Sequence, residues 1–285
     1  MKKLIIPALI FCSLSVFSMS EKAVEKTSAP YFRVISDFDD TIKRSHIAAD
    51  NEGFVDTVDG GARTFGRAFL FTKIFNGIPE LYQAFVKNYK DVSRDGIGLY
   101  VLSASPNKPT RKIIQASLYF AGIPYEELFT RDFSELGHKI EYKIENIESV
   151  MKGNSDKLIL IGDDVEADPD VYKSIESKHK ERVEAIYIRK IKNRKLAKGI
   201  IGFYSAFEVA AREYSKKRIN LVQVEEVATA ILDTEADDMR RVIPYYAHCP
   251  KEMKEFTPVL DPELFELEFL VQIKITEHCR TREED

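Results

Sequence analysis

Four short apolar runs, none with polar alternation, constrain the fold of this chain most. They are Tyr31–Ser36, Ile97–Leu102, Lys157–Ile161 and Glu184–Ile188. A strand that carries apolar side chains on both faces must be covered on both faces, as strands of a parallel sheet are. Helical segments separate the runs. Pro109 suits the first turn of a helix reaching Ala121, with Gly122 as its stop. Ile140, Ile144, Ile147 and Met151 form an apolar stripe on a second helix, which ends near Gly153. Residues 206–232 read as two further helices. Strands alternating with helices predict an α/β fold with a doubly wound parallel sheet. With 285 residues, 44% of them hydrophobic, the chain has material for one sizeable core.

The two ends of the chain read differently from its middle. Lys2 and Lys3 precede an apolar stretch from Leu4 to Phe17, followed by Ser18, Met19 and Ser20. This is the layout of a secretory signal peptide over residues 1–20, cut after Ser20, so an exported protein, periplasmic or secreted, is expected. The stretch is shorter than the roughly 20 residues of a spanning helix. Cys12 follows the bulky Phe11, which excludes a lipoprotein signal. Residues 21–30 are polar and end in Pro30, as a linker would. No other segment is long and apolar enough to span a membrane. The mature chain keeps Cys249 and Cys279, and two readings stand: a disulfide, or two buried thiols. The tail from Asp233 onward holds prolines, both cysteines and a strand-like run from Leu267 to Ile275, as an appendage or a cover would. A net charge of -4 and the lack of a long basic run leave no electrostatic footprint for nucleic acid.

Ligands of open parallel sheets bind beyond the carboxyl ends of the strands. The first run ends in Asp37-Phe38-Asp39-Asp40-Thr41, the second in Ser103-Ala104-Ser105, and the third in Gly162-Asp163-Asp164 with Asp168 close behind. The helix before the third run carries Lys143. Each feature alone is ordinary: a turn, a helix cap, a solvated lysine. Together, each at the end of its own element, they suit phosphoryl transfer. A carboxylate such as Asp37 can attack phosphorus, and water then hydrolyses the aspartyl-phosphate. Asp39 can protonate the leaving oxygen and later activate water. Anions facing an anionic phosphate require a divalent cation, and Mg2+ favours a few carboxylates with phosphate oxygens. Asp163 and Asp168 add carboxylates, while Ser103 and Lys143 can hold phosphoryl oxygens. Thr41 suits support of the turn after Asp37.

The set resembles the haloacid-dehalogenase (HAD) superfamily, whose four motifs stand here in order: Asp37-Phe38-Asp39-Asp40-Thr41, Ser103, Lys143, and Gly162-Asp163-Asp164 with Asp168. It is most similar to one branch, the catalytic domain of the actin-patch phosphatidate phosphatases and their bacterial relatives. That likeness lies in Val34–Lys43, Phe75–Tyr82, Tyr100–Pro106, Leu158–Tyr172 and Ile186–Arg189. The resemblance implies Asp37 as nucleophile, Asp39 as acid/base and Ser103 as phosphate ligand. It implies magnesium on Asp37, Asp163 and the Asp39 carbonyl, with Asp168 orienting that shell or ligating directly. This chain departs at Asn107, where the family has an aromatic residue, and at Asp164, where it has a small one. Lys139 lies one helical turn before Lys143, and the spacing to Asp163 favours Lys143.

The expected organisation is a phosphatase domain over residues 31–232, with a cap insertion at about 44–96, and an extension over residues 233–285. Phe65, Phe69, Phe71 and Phe75 in the insertion read as a lipid-facing lid or, more simply, as helix packing. The resemblance implies a phosphorylated substrate, with membrane phosphatidate first and soluble phosphoesters second. A non-catalytic cation-binding module is the third reading. The Asp37/Asp39 pair on a separate strand opposes it, because a calcium loop gathers its oxygens from one short segment.

Overall fold

The computed structural model describes residues 32–45, 74–92, 96–132, 138–259 and 261–282. The expected signal peptide, the expected linker over residues 21–30, and Phe65, Phe69 and Phe71 lie outside the described residues. In chain order the elements begin β1 (Phe32–Asp37), α1 (Ile78–Val92), β2 (Leu99–Pro106), α2 (Asn107–Phe120) and β3 (Glu127–Arg131). Next come α3 (Lys139–Met151), β4 (Lys157–Asp163), α4 (Asp168–Lys178), β5 (Val183–Arg189) and β6 (Ile201–Phe203). Three helices follow: α5 (Ala206–Ser215), α6 (Leu221–Leu232) and α7 (Phe265–Thr281).

The six strands form one sheet in the order β3-β2-β1-β4-β5-β6, and every pairing is parallel. Successive side chains of a strand point to opposite faces. So Val34 of β1 joins a core with α1, α2, α5, α6 and α7, while Ile35 joins a second core with α3 and α4. This is the α/β doubly wound sheet that the apolar runs predict. Within the span read as an insertion, α1 buries Leu81, Tyr82 and Phe85 in the first core. Phe75 packs under the guanidinium of buried Arg189, 3.9 Å from its ring centre.

Local sequence explains the helix limits. Gly122, at φ +65°, closes the turn after α2 in the left-handed conformation that glycine adopts without cost. On α3 the stripe is displaced from the one read: Ile140 is 45% exposed, and Tyr142, Lys143, Ile147, Val150 and Met151 are buried. Two capping boxes start the paired helices α5 and α6, at Ser205 with Glu208 and at Asn220 with Gln223.

The run from Leu267 to Ile275 is not a strand but part of α7. Its apolar positions 267, 269, 271, 273 and 275 alternate, which mimics a strand. The buried set is instead Val271, Ile275 and Cys279, with Gln272 and Thr276, a helical spacing of four. Phe265, Phe269 and Leu270 are left exposed and blur the pattern. Cys249 and Cys279 form a disulfide that closes a separation of 30 residues. Cys249→Ser/Cys279→Ser is expected to cost about 3–4 kcal/mol, chiefly by freeing the unfolded chain. Chemical denaturation checks this; an unchanged midpoint would mean that packing alone holds the tail.

Candidate active site

The site begins at two neighbouring strands. β1 ends in Asp37 and β4 ends in Asp163. The chain proceeds outward from β1 to β2 on one side and from β4 to β5 on the other. The reversal opens a crevice at the carboxyl ends of these strands. Asp168 opens α4 and turns back to the end of β4, where one carboxylate oxygen accepts the Asp163 N–H at 3.3 Å. Only glycine permits that approach: a Cβ on Gly162 would lie 2.5 Å from Asp168 Oδ2. Asp37, Asp163 and Asp168 are buried, and each offers an oxygen within 4.8 Å of the others.

One cation reaches this group from α3. Lys143 Nζ donates to Asp37 Oδ1 at 2.8 Å and also to Asp168 Oδ1. Lys139 lies on the surface, paired with Glu166 at 2.6 Å. Burial, reinforced by Asp168 and Asp163 and opposed by Lys143, pushes the Asp37 carboxyl well above the usual carboxylate range. Burial and then Asp168 do the same to Asp163. Burial alone would lower Lys143, but Asp168 and Asp37 outweigh it and hold its ammonium well above the usual lysine range. Three carboxylates therefore share one ammonium. Buried anions need compensation, and hard carboxylate oxygens suit a hard divalent cation. The donor set fits such an ion.

Asp39 stands beside this group and is more open to solvent. Its Oδ2 accepts from Ser105 Oγ at 3.0 Å and from Ser103 Oγ at 3.4 Å; its Oδ1 faces Lys43 Nζ at 3.5 Å. Ser103 thus touches the carboxylate of Asp39. Ser105, to which the sequence assigns no role, makes the shorter contact. The spacing of two along β2 is the signal that places both hydroxyls on one face. Thr41 Oγ1 donates to Asp163 Oδ2 at 3.2 Å, so it ties the Asp37 turn to β4 as well as supporting it. Asp164 turns away from the cluster. Its carboxylate accepts from the N–H groups of Ile191 at 2.7 Å, Lys192 at 2.6 Å and Arg194 at 2.8 Å, and so anchors the loop after β5. A cavity of about 400 Å³ between α1 and α2, lined by Gly77, Ile113, Ala116 and Phe120, shares no residue with the carboxylate group.

The fold and this site together define an α/β protein with a carboxylate centre, able to hold a divalent cation, at adjoining strand ends. Residues 32–190 match the family described as phosphatidate phosphatase APP1, catalytic domain. The match covers more than half of the chain, and the chain belongs to this phosphatase family. No curated protein and no solved structure matches it. Every candidate residue named above falls inside the match, while β6, α5, α6 and the extension fall outside it. Among the described residues no helix is long and apolar enough to cross a membrane.

Proposed function

We propose that this chain is an exported, magnesium-dependent phosphomonoesterase of HAD type, with phosphatidate-like lipids as its substrate class. The observation that carries the reading is the buried contact of Asp37 with Lys143, set beside Asp163 and Asp168. It joins a carboxylate at a strand tip to a cation and a metal-binding donor set within a phosphatase family.

In this reading Asp37 attacks phosphorus and the ester P–O bond breaks, leaving an aspartyl-phosphate. The departing oxygen takes its proton from the Asp39 carboxyl, held by Ser103 and Ser105. Water then attacks phosphorus, Asp39 takes the water proton, and phosphate leaves with Asp37 restored. Lys143 aims the Asp37 carboxylate and partly opposes the rise of its pKa, and its charge favours the phosphoryl group as negative charge grows. Asp37, the Asp39 carbonyl and Asp163 would hold the magnesium, with Asp168 orienting that shell or joining it. When bound, the ion offsets the crowded carboxylates and stabilises phosphoryl charge.

The test is phosphate release from phosphatidate vesicles and from soluble phosphomonoesters, with magnesium and with excess chelator. Release from vesicles that requires magnesium is expected, with calcium restoring little because its larger, looser shell misplaces the phosphate. Preference for soluble esters would replace the lipid by small substrates. Full release in chelator would sink the metal-dependent reading, and no release from any substrate would leave the cation-binding module standing.

A further inference from the structure

The turn that carries Asp39 is held from the far end of the chain. Asp40, next to Asp39, has φ +55°, a left-handed conformation that costs a residue with a Cβ. Its N–H donates to Lys43 O at 2.6 Å, and Ile42 and Lys43 both donate to Phe38 O at 3.0 Å. Asp40 is buried, and its Oδ1 accepts from the Ser45 N–H at 3.1 Å and from the Tyr246 hydroxyl at 2.5 Å. Tyr246 belongs to the extension, outside the family match.

The extension delivers that hydroxyl from a fixed backbone. His248 N donates to Ile191 O at 2.7 Å, beside the loop that Asp164 anchors. Arg282, at the end of α7, donates to Pro244 O at 3.1 Å and Ala247 O at 3.0 Å. The disulfide ties Cys249 to Cys279 on α7. A strap from residue 244 to residue 249 is thus fastened on both sides of Tyr246.

We propose that Tyr246 is a positioning residue for the phosphatase reaction. Its hydroxyl fixes the Asp40 carboxylate, and Asp40 in turn holds the strained turn that sets the Asp39 carboxyl against Ser103 and Ser105. Tyr246 touches none of the reacting atoms. The inference rests on the reading above, in which Asp39 is the acid/base.

Tyr246→Phe keeps the ring and removes the hydrogen bond. Its kcat is expected to fall about 10- to 100-fold, as for a reacting group displaced by an ångström or less, with KM within about twofold. The loss should be larger for alkyl than for aryl phosphates, because poor leaving groups depend more on the proton from Asp39. Asp40→Asn, which keeps an acceptor for Tyr246, should retain more activity than Asp40→Ala. An unchanged kcat in Tyr246→Phe, or equal losses on alkyl and aryl esters, would overturn the proposal. A crystal structure of Tyr246→Phe decides it independently of turnover. Asp39 displaced from Ser105 supports it, and Asp39 unmoved overturns it. A wild-type protein that releases no phosphate would count against the phosphatase reading instead, and the crystal structure would still judge the strap.

Discussion

Asp37→Asn should lose at least about 10³-fold in turnover, roughly 4 kcal/mol of barrier, because the amide cannot form the covalent intermediate. The fold should survive. In the wild type, burial with Asp168 and Asp163 raises the Asp37 pKa, and Lys143 only partly opposes it. A carboxyl raised in the folded state contributes stability at low pH and loses it as pH rises through its folded value. At neutral pH, in chelator, burying the Asp37 carboxyl therefore costs stability, and a neutral amide removes that cost. The variant should melt at or above the wild-type temperature at neutral pH, with the gap closing toward acid. Single-turnover kinetics and thermal melts in parallel check both parts. A folded Asp37→Asn protein with wild-type turnover would remove Asp37 as the nucleophile.

Lys143→Met should be the most destabilising single change at the site. It leaves Asp37 and Asp168 buried beside Asp163 without the one ammonium that reaches them among the described residues. Breaking a buried ion pair on one side costs about 3–5 kcal/mol. In a chain of this size that lowers the melting temperature by roughly 10 °C. The Lys143 pKa is raised in the folded state, so its contribution is fully present at neutral pH. Turnover should fall by at least about 10²-fold, since the charge over Asp37 is lost. Lys139→Met is the control. Its pair with Glu166 is at the surface, and such pairs contribute about 0–1 kcal/mol. Equal effects of the two substitutions would contradict the separate roles that their positions imply.

The same contrast shows what a sequence can carry. Both lysines lie on one helix, one turn apart, and only packing against β1 and α4 separates a buried partner of Asp37 from a surface residue. The four central strands were legible because each is covered on both faces and carries apolar residues on both. β3 was not: of Glu127–Arg131, only Leu128 and Arg131 are buried, the signature of an edge. β6 is three residues long, too short for any period. The carboxylates of the site were legible because strand ends mark them. Asp164, the departure from the small residue of the family, takes another task, since its oxygens serve three backbone N–H groups of a loop. The disulfide stayed open because a separation of 30 residues holds no geometry. Tyr246 had no local signal, since its partner is on the first strand's turn.

The hydrogen bond from Tyr246 to Asp40 spans 206 positions. Closing long loops is slow relative to local structure, and the entropy of closure rises with loop length. The sheet and its carboxylates can assemble from nearer contacts, such as β1 with β2 and β4 with β5. The strap docks only when the far end of the chain returns. The order of events in folding then separates architecture from competence. In the proposed reading, a chain whose strap has not yet docked would already hold Asp37, Asp163 and Asp168 together while the Asp39 carboxyl is still unaligned, and its turnover would rise about 10- to 100-fold as that last contact closes.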